Sequence, residues 1–154
     1  MAKAKCVKTG KVVAIKKMDN IFDDEVDCKR ILREISLLRK LRHPCVVNLI
    51  EMLVPPNPDT YTTIYMILEY ADSDLKKMMK SNLNLEYLHI QTILYNLVCA
   101  LKYIHESKVI HRDIKPGNIL INEDCSVKLC DFGLARSITN IKVNSEQFLK
   151  RVSF

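Results

Sequence analysis

Apolar residues recur at intervals of three and four from Cys28 through Ile31, Leu32 and Ile35 to Leu38, the period of one helix face. This predicts an amphipathic helix from Asp24 to Leu41, with Asp23 and Asp24 available as N-terminal caps and His43-Pro44 as its stop. Elsewhere in the first half the apolar positions run together. V-V-A-I-K at Val12 to Lys16 reads as a buried strand introduced by the Thr9 to Lys11 turn, and Val46 to Leu53 and Thr62 to Tyr70 read as two more. V-P-P-N-P-D-T-Y separates the latter two, and its prolines mark an exposed connection, because they cannot donate to a sheet ladder.

Past Asp72 to Asp74 the pattern becomes helical. A short helix carries Leu75, Met78 and Met79, and a long one runs from Glu86 to Ser107 with Asn84 as its cap. Leu88, Ile93, Leu94, Leu97, Val98, Leu101 and Ile104 give the long helix an apolar face so broad that deep burial is expected. Ile119 to Ile121 and Val127 to Leu129 flank N-E-D-C-S as a hairpin that delivers Asp131 just beyond its second strand. Strands first and helices after predict an α+β chain of one core or two small lobes sharing a cleft.

Composition narrows the classes. The 154 residues are 48% hydrophobic and 27% charged, no apolar run is long enough for a membrane span, and the N-terminus lacks an apolar signal core. The six cysteines form no C-x-x-C pair and sit mostly among apolar neighbours, which reads as reduced, buried thiols in the cytosol or nucleus. The net charge of +6 is interspersed with Asp and Glu and has no aromatic platforms beside it, so no nucleic-acid partner is expected.

The chemistry is carried by H-R-D-I-K-P-G-N from His111 to Asn118 and by D-F-G from Asp131, thirteen residues after Asn118. Asp113 offers a carboxylate to accept a proton from a substrate hydroxyl, Asn118 and Asp131 offer hard oxygen ligands suited to magnesium, and Lys115 adds a cation where a transferring phosphate gathers charge. Together these predict phosphoryl transfer. A Glu34 facing inward among Ile31, Ile35 and Leu38 needs a cationic partner, which Lys16 can supply; a solvent-facing Glu34 paired with Arg30 or Lys40 is the alternative. The three glycines, Gly10, Gly117 and Gly133, leave none for a G-x-G-x-x-G loop over nucleotide phosphates.

V-A-I-K at Val13 to Lys16, Glu34, H-R-D-I-K-P-G-N and D-F-G, in this order, resemble the signature set of eukaryotic protein kinases over about Lys3 to Arg136, and Lys115 is similar to the lysine of the serine/threonine branch. R-I-L-R-E-I from Arg30, E-Y-A-D-S-D-L-K-K from Glu69, C-A-L-K-Y-I-H from Cys99 and C-D-F-G-L-A-R from Cys130 resemble mitogen-activated protein kinases, with cyclin-dependent kinases next nearest. The resemblance implies ATP and Mg2+ as cofactors, protein substrates and an upstream kinase as partners, and a two-lobed fold of a small antiparallel-sheet lobe with one helix and the start of a helical lobe. It implies that Lys16, held by Glu34, binds the nucleotide's first two phosphates, that Asp113 is the base, and that Asn118 and Asp131 ligate magnesium. It also implies that Leu68 lies behind the adenine, that the Glu69 carbonyl and Ala71 N–H are hinge contacts, and that Asp74 lies near the ribose. Leu38, Leu49, His111 and Phe132 resemble the hydrophobic spine joining the lobes, and Cys130 is either a pocket-lining residue or an inert thiol.

Against that family the chain reads as incomplete at both ends. The expected division is a partial first lobe over 1–70, a partial second lobe over 71–136 and a divergent tail over 137–154, with no T-x-Y or A-P-E motif after Arg136. Arg112, which the resemblance pairs with a phosphorylated activation loop, is expected to lack that partner, and the long helix to lack neighbours, leaving an adhesive face. K-R-V-S-F at the C-terminus, with Ser153, resembles substrates of basophilic kinases. Two readings follow: an active serine/threonine kinase of cytosol or nucleus, or an inactive truncated kinase acting as an interaction or decoy protein.

Overall fold

The computed structural model describes residues 1–53, 62–81 and 85–138. The proline-rich connection, Asn84 and the segment with Ser153 lie outside the described residues. Strand β1 (Ala2–Lys5) and strand β2 (Val12–Met18) form an antiparallel hairpin. Gly10 takes φ +70°, the left-handed backbone that this turn needs and that glycine adopts without strain.

Helix α1 (Glu25–Lys40) follows. Asp24 caps it, its carboxylate accepting from the Val26 and Asp27 amides, while acids in the first turn and Arg39 and Lys40 in the last complement the helix dipole. Leu38 is fully buried and Ile31 and Ile35 pack on the core, but Leu32 is exposed, because its 100° step carries it past the sheet-facing stripe.

Strand β3 (Leu49–Leu53) and strand β4 (Ile64–Glu69) complete a four-stranded antiparallel sheet of order β1-β2-β4-β3. Both are shorter than the apolar runs suggest. Val46 and Val47 leave this sheet altogether: Val46 makes a parallel bridge to Leu129, and the Val47 amide donates to the Leu129 carbonyl at 3.0 Å. A bulge at Ile50 shifts the β3–β4 register and turns that side chain to solvent.

Strand β5 (Ser73–Asp74), helix α2 (Leu75–Lys80) and helix α3 (Tyr87–Glu106) open the second lobe. Glu86 caps α3 in a reciprocal capping box with His89. Deep burial of the whole apolar face of α3 is not found. Ile93, Ala100 and Ile104 are buried, whereas Leu88, Leu94 and Val98 face solvent, because the described elements cover only one side of the helix. Strand β6 (Val109–Ile110), the 3-10 turn Pro116–Asn118, strand β7 (Ile119–Ile121), strand β8 (Val127–Leu129) and strand β9 (Arg136–Ser137) follow. β5-β7-β8 form one small sheet and β6-β9 another.

The core is continuous between the lobes, running from Leu38, Met66 and Leu68 through Phe132 and Leu129 to Ile104 and Val109. All six cysteines are free; Cys45 is buried as a whole residue, and the other five, Cys130 among them, are partly exposed as residues although the Cys130 thiol itself is well covered. The expectation of uniformly buried thiols is corrected: Cys6 lies beside an exposed hairpin turn and Cys125 at a residue of positive φ in the β7–β8 turn. Among the described residues no helix is long and apolar enough to cross a membrane.

Candidate active site

The strand register sets the first half of the site. Ala14 pairs with Leu68 and Lys16 with Met66, so the alternation of β2 sends Ala14 and Lys16 to one face of the sheet. Lys16 donates to both Glu34 oxygens, at 2.9 and 2.8 Å, which is the ion pair the inward-facing Glu34 required. The alternative partner Arg30 is taken by Asp27 instead.

A cavity of about 480 Å³ opens beside this pair, lined by Lys16, Glu34, Leu68, Glu69, Ala71, Asp74, Asn118, Cys130 and Asp131. The sequence-derived hinge and phosphate residues therefore share one space. Asp74 already has a structural task there: its carboxylate caps α2 through the Lys77 amide at 2.9 Å and lies 3.3 Å from the Lys77 ammonium. Met1, Lys3, Tyr70, Val47, Leu120 and Lys77 also line the cavity and were not singled out in the sequence. A second space holds Asp113 and Asp131 together with Lys16 and Glu34.

The loop after β6 is shaped by its own side chains. Arg112 has φ 70° and Asp131 φ 63°, a sparsely populated conformation for non-glycine residues that the surrounding contacts maintain. His111 is buried and edge-on to Phe132, with ring centroids 4.8 Å apart. Its Nε2 donates to the Cys130 carbonyl at 2.9 Å, and its Nδ1 accepts from the Asp113 amide at 3.2 Å. The ring is thus neutral in this arrangement, with the proton on Nε2. Burial pushes its pKa below the ordinary value, against smaller opposing effects of the Cys130 carbonyl and the two aspartates.

Asp113 is held through one oxygen. Its Oδ2 accepts from Lys115 Nζ at 2.7 Å and from Asn118 Nδ2 at 2.9 Å, while Oδ1 takes no hydrogen bond among the described residues. The Lys115 hydrogen bond, followed by that from Asn118, holds the Asp113 carboxyl below the usual carboxylate range, and Asp113 in turn raises the pKa of Lys115. Lys115 thus sits on the Asp113 carboxylate itself.

Asn118 gives its amide hydrogens to Asp113, at 2.9 Å to both the main-chain oxygen and Oδ2. That fixes the amide so that Oδ1 is the acceptor without a hydrogen bond; among the described residues no buried polar side-chain atom lacks a partner, so Oδ1 is not sealed from solvent, and Asn118 lines the cavity. The Asp131 carboxylate likewise takes no hydrogen bond among the described residues and borders the same space. Two such oxygens suit magnesium, which keeps phosphate and water for the rest of its shell. Among the described residues no cluster of three or more His, Cys, Asp or Glu forms a metal cage.

Helix α1 reaches the second half of the site directly. Arg33 donates to the Gly133 carbonyl at 2.5 Å, a contact for which the sequence offers no periodic signal. Burial and the neighbouring guanidinium groups of Arg136, Arg112 and Arg30 push the Arg33 pKa down, so four arginines converge at this corner. Cys130 lines the cavity yet is not poised to react: burial first, then Asp131 and Glu34, push its thiol up to about 12.

The protein kinase domain model matches residues 1–150. Mitogen-activated protein kinase 12 of Oryza sativa subsp. japonica is 48% identical over 140 residues, covering 91% of this chain and 24% of that protein. Mitogen-activated protein kinase 15 of the same plant is 52% identical over 128 residues, covering 83% of this chain and 26% of the relative. Mitogen-activated protein kinase 16 of Arabidopsis thaliana is 51% identical over 132 residues, covering 86% and 23%. The chain therefore spans about a quarter of the length of these relatives. A family model that runs through nearly the whole sequence, with plant relatives identical at about half of the aligned positions, shows that the chain belongs to the protein kinase family and is of the mitogen-activated type.

Proposed function

We propose that this chain carries the nucleotide-binding and catalytic centre of a serine/threonine protein kinase, which transfers the γ-phosphoryl group of ATP to hydroxyls of protein substrates in intracellular signalling. The observation that carries the reading is the half-free Asp113 carboxylate, bonded at Oδ2 and open at Oδ1. Magnesium ATP, when bound, supplies the transferable group and the charge neutralisation its transfer needs.

The residues divide the remaining work. Lys16, aimed by Glu34, binds the first two phosphates, while Leu68 backs the adenine and the Glu69 carbonyl and Ala71 N–H meet its edge. Asp74 meets the ribose, and Asn118 Oδ1 and the Asp131 carboxylate hold the metal. Asp113 Oδ1 accepts the substrate hydroxyl and orients it, and Lys115 offsets charge at the transferring phosphate. A base whose pKa is depressed removes little of the proton from a ground-state hydroxyl. Phosphoryl transfer through a loose transition state tolerates this, because the proton leaves late and alignment matters more than basicity.

The division into a first lobe over 1–70, a second over 71–136 and a tail over 137–154 belongs to the same proposal, as do an upstream activating kinase and a location in cytosol or nucleus. The test is Asp113→Asn in the longest expressible form of the protein. Transfer to a generic basic protein should fall by about 10²- to 10⁴-fold with magnesium-dependent ATP binding retained. Undiminished transfer would remove Asp113 from the mechanism.

A further inference from the structure

A second set of contacts crosses between the lobes at the far end of β4. Lys128, three residues before Asp131 along the chain, places its ammonium 2.9 Å from a Glu69 carboxylate oxygen and donates to the Pro44 carbonyl at 2.8 Å. The Lys128 side chain is 14% exposed and that of Glu69 36%, so the lysine stem is covered while its ammonium end stays within reach of water. Glu69 closes β4, where it pairs with Val13 and its amide donates to the Asn48 carbonyl at 2.9 Å. Pro44 belongs to the loop that leaves α1, and the Leu129 amide next to Lys128 donates to the Cys45 carbonyl at 2.8 Å.

One ammonium thus ties three elements that carry different parts of the site. They are the loop ending α1, which bears Glu34, the strand ending in the hinge contacts, and the strand that delivers Asp131. Arg42 stiffens the same loop by donating to the Leu38 carbonyl at 3.1 Å and to Asn48 Oδ1 at 2.5 Å. Around these groups lies a cavity of about 430 Å³ that shares only Glu69 with the lining of the nucleotide cavity. Lys128 therefore acts without touching the nucleotide space.

We propose that Lys128 is a positioning residue, a latch between the lobes that sets the angle of the hinge and so the rate at which nucleotide exchanges. This rests on the nucleotide-binding reading above for its second readout but not for its first. A lysine suits the task because a single ammonium with three donors can satisfy a carboxylate and a carbonyl arriving from different directions.

The test compares wild type, Lys128→Met, Lys128→Arg and Lys16→Met in amide hydrogen exchange without nucleotide and in release of a fluorescent ATP analogue with magnesium. Lys128→Met should accelerate exchange at residues 69–74 by about tenfold or more, with exchange in β7 and α3 unchanged, and should speed nucleotide release by about threefold or more. Lys128→Arg should restore both. Lys16→Met should abolish nucleotide binding without accelerating exchange at 69–74 more than elsewhere in the chain. If no variant, wild type included, binds the analogue, the nucleotide reading fails while the exchange data still decide the latch. Unchanged exchange at 69–74 in Lys128→Met overturns the latch, as does acceleration spread evenly over the chain or a Lys128→Arg variant that behaves like Lys128→Met.

Discussion

Glu34, with a side chain only 6% exposed, is bonded through both carboxylate oxygens to the single ammonium of Lys16, eighteen residues earlier in the chain. The pair joins α1 to β2 and fixes where the ammonium points. Lys16, at 28% exposure, keeps access to the cavity beside it. A partner more deeply buried on the helix than on the strand suits an arrangement in which the carboxylate orients and the cation binds.

Removing one member of this pair should cost far more than removing both. Lys16→Met leaves a buried, unpaired carboxylate and should lower stability by about 2–4 kcal/mol, whereas Lys16→Met with Glu34→Leu should return to within about 1 kcal/mol of wild type. Urea unfolding of the four members of the cycle measures the coupling. If the double variant is as unstable as Lys16→Met, the desolvated-pair account is wrong.

His111 should make the fold acid-sensitive before the carboxylates do. Its folded-state pKa lies below the ordinary 6.5, so between those values the unfolded chain binds the extra proton. The stability is therefore fully present above about pH 6.5 and is lost as the pH falls through the folded-state pKa. Protonating Nδ1 also sets a donor against the Asp113 amide, so Asp113 loses that backbone restraint in the same range. His111→Phe should be less stable at pH 7.5, since it leaves the Asp113 amide and Cys130 carbonyl without the ring, but its melting temperature should fall less between pH 7 and pH 5. Parallel pH profiles for the two proteins would reject this assignment.

Cysteine reactivity should follow exposure rather than proximity to the site. Cys130, with its pKa raised to about 12, has almost no thiolate at neutral pH. Cys6 is held below its ordinary value by the Thr9 side chain and the Thr9 and Lys8 amides in the open β1–β2 hairpin. Iodoacetamide followed by mass spectrometry should find Cys6 alkylated at least about 100-fold faster than Cys130. Comparable rates would mean that the Cys130 pocket admits water and a thiolate.

The cap of α1 should matter beyond its local worth. Asp24→Ala removes the acceptor for the Val26 and Asp27 amides and should cost about 1 kcal/mol. Because the helix carries Glu34 and Arg33 into the site, the same variant should loosen ATP binding about threefold or more at temperatures where the protein stays folded. Unchanged binding would show that packing of Leu38 and its neighbours holds the helix without its cap.

Much of the site was legible in the residues because its chemistry is written locally. H-R-D-I-K-P-G-N and D-F-G each place their groups within a few residues, and the hairpin from Ile119 to Leu129 needs only alternation and a turn. The Lys16–Glu34 pair was legible only beside the flanking motifs, since the helix pattern alone also allowed a solvent-facing Glu34 paired with Arg30 or Lys40. Leu32, Leu88, Leu94 and Val98 read as core and are exposed, because periodicity reports which face is apolar but not which part of that face another element covers.

By itself the sequence determined the helix α1 with Asp23 or Asp24 as its cap, the succession of β2, α1, β3, β4, α2, α3, β7 and β8, and the identity of the groups that can bind, orient and exchange protons. Those follow from short-range physics: dihedral preferences, capping and the period of apolar residues. Only the tertiary structure decided that Val46 and Val47 leave the first sheet for β8, that Arg33 reaches Gly133, that Asp113 keeps Oδ1 open while Oδ2 is bonded, and that Lys128 spans from Pro44 to Glu69. Each of these needs residues distant in the chain to be brought within hydrogen-bond reach or turned to a particular side. Such choices are made by how packed elements share burial, which no local pattern encodes.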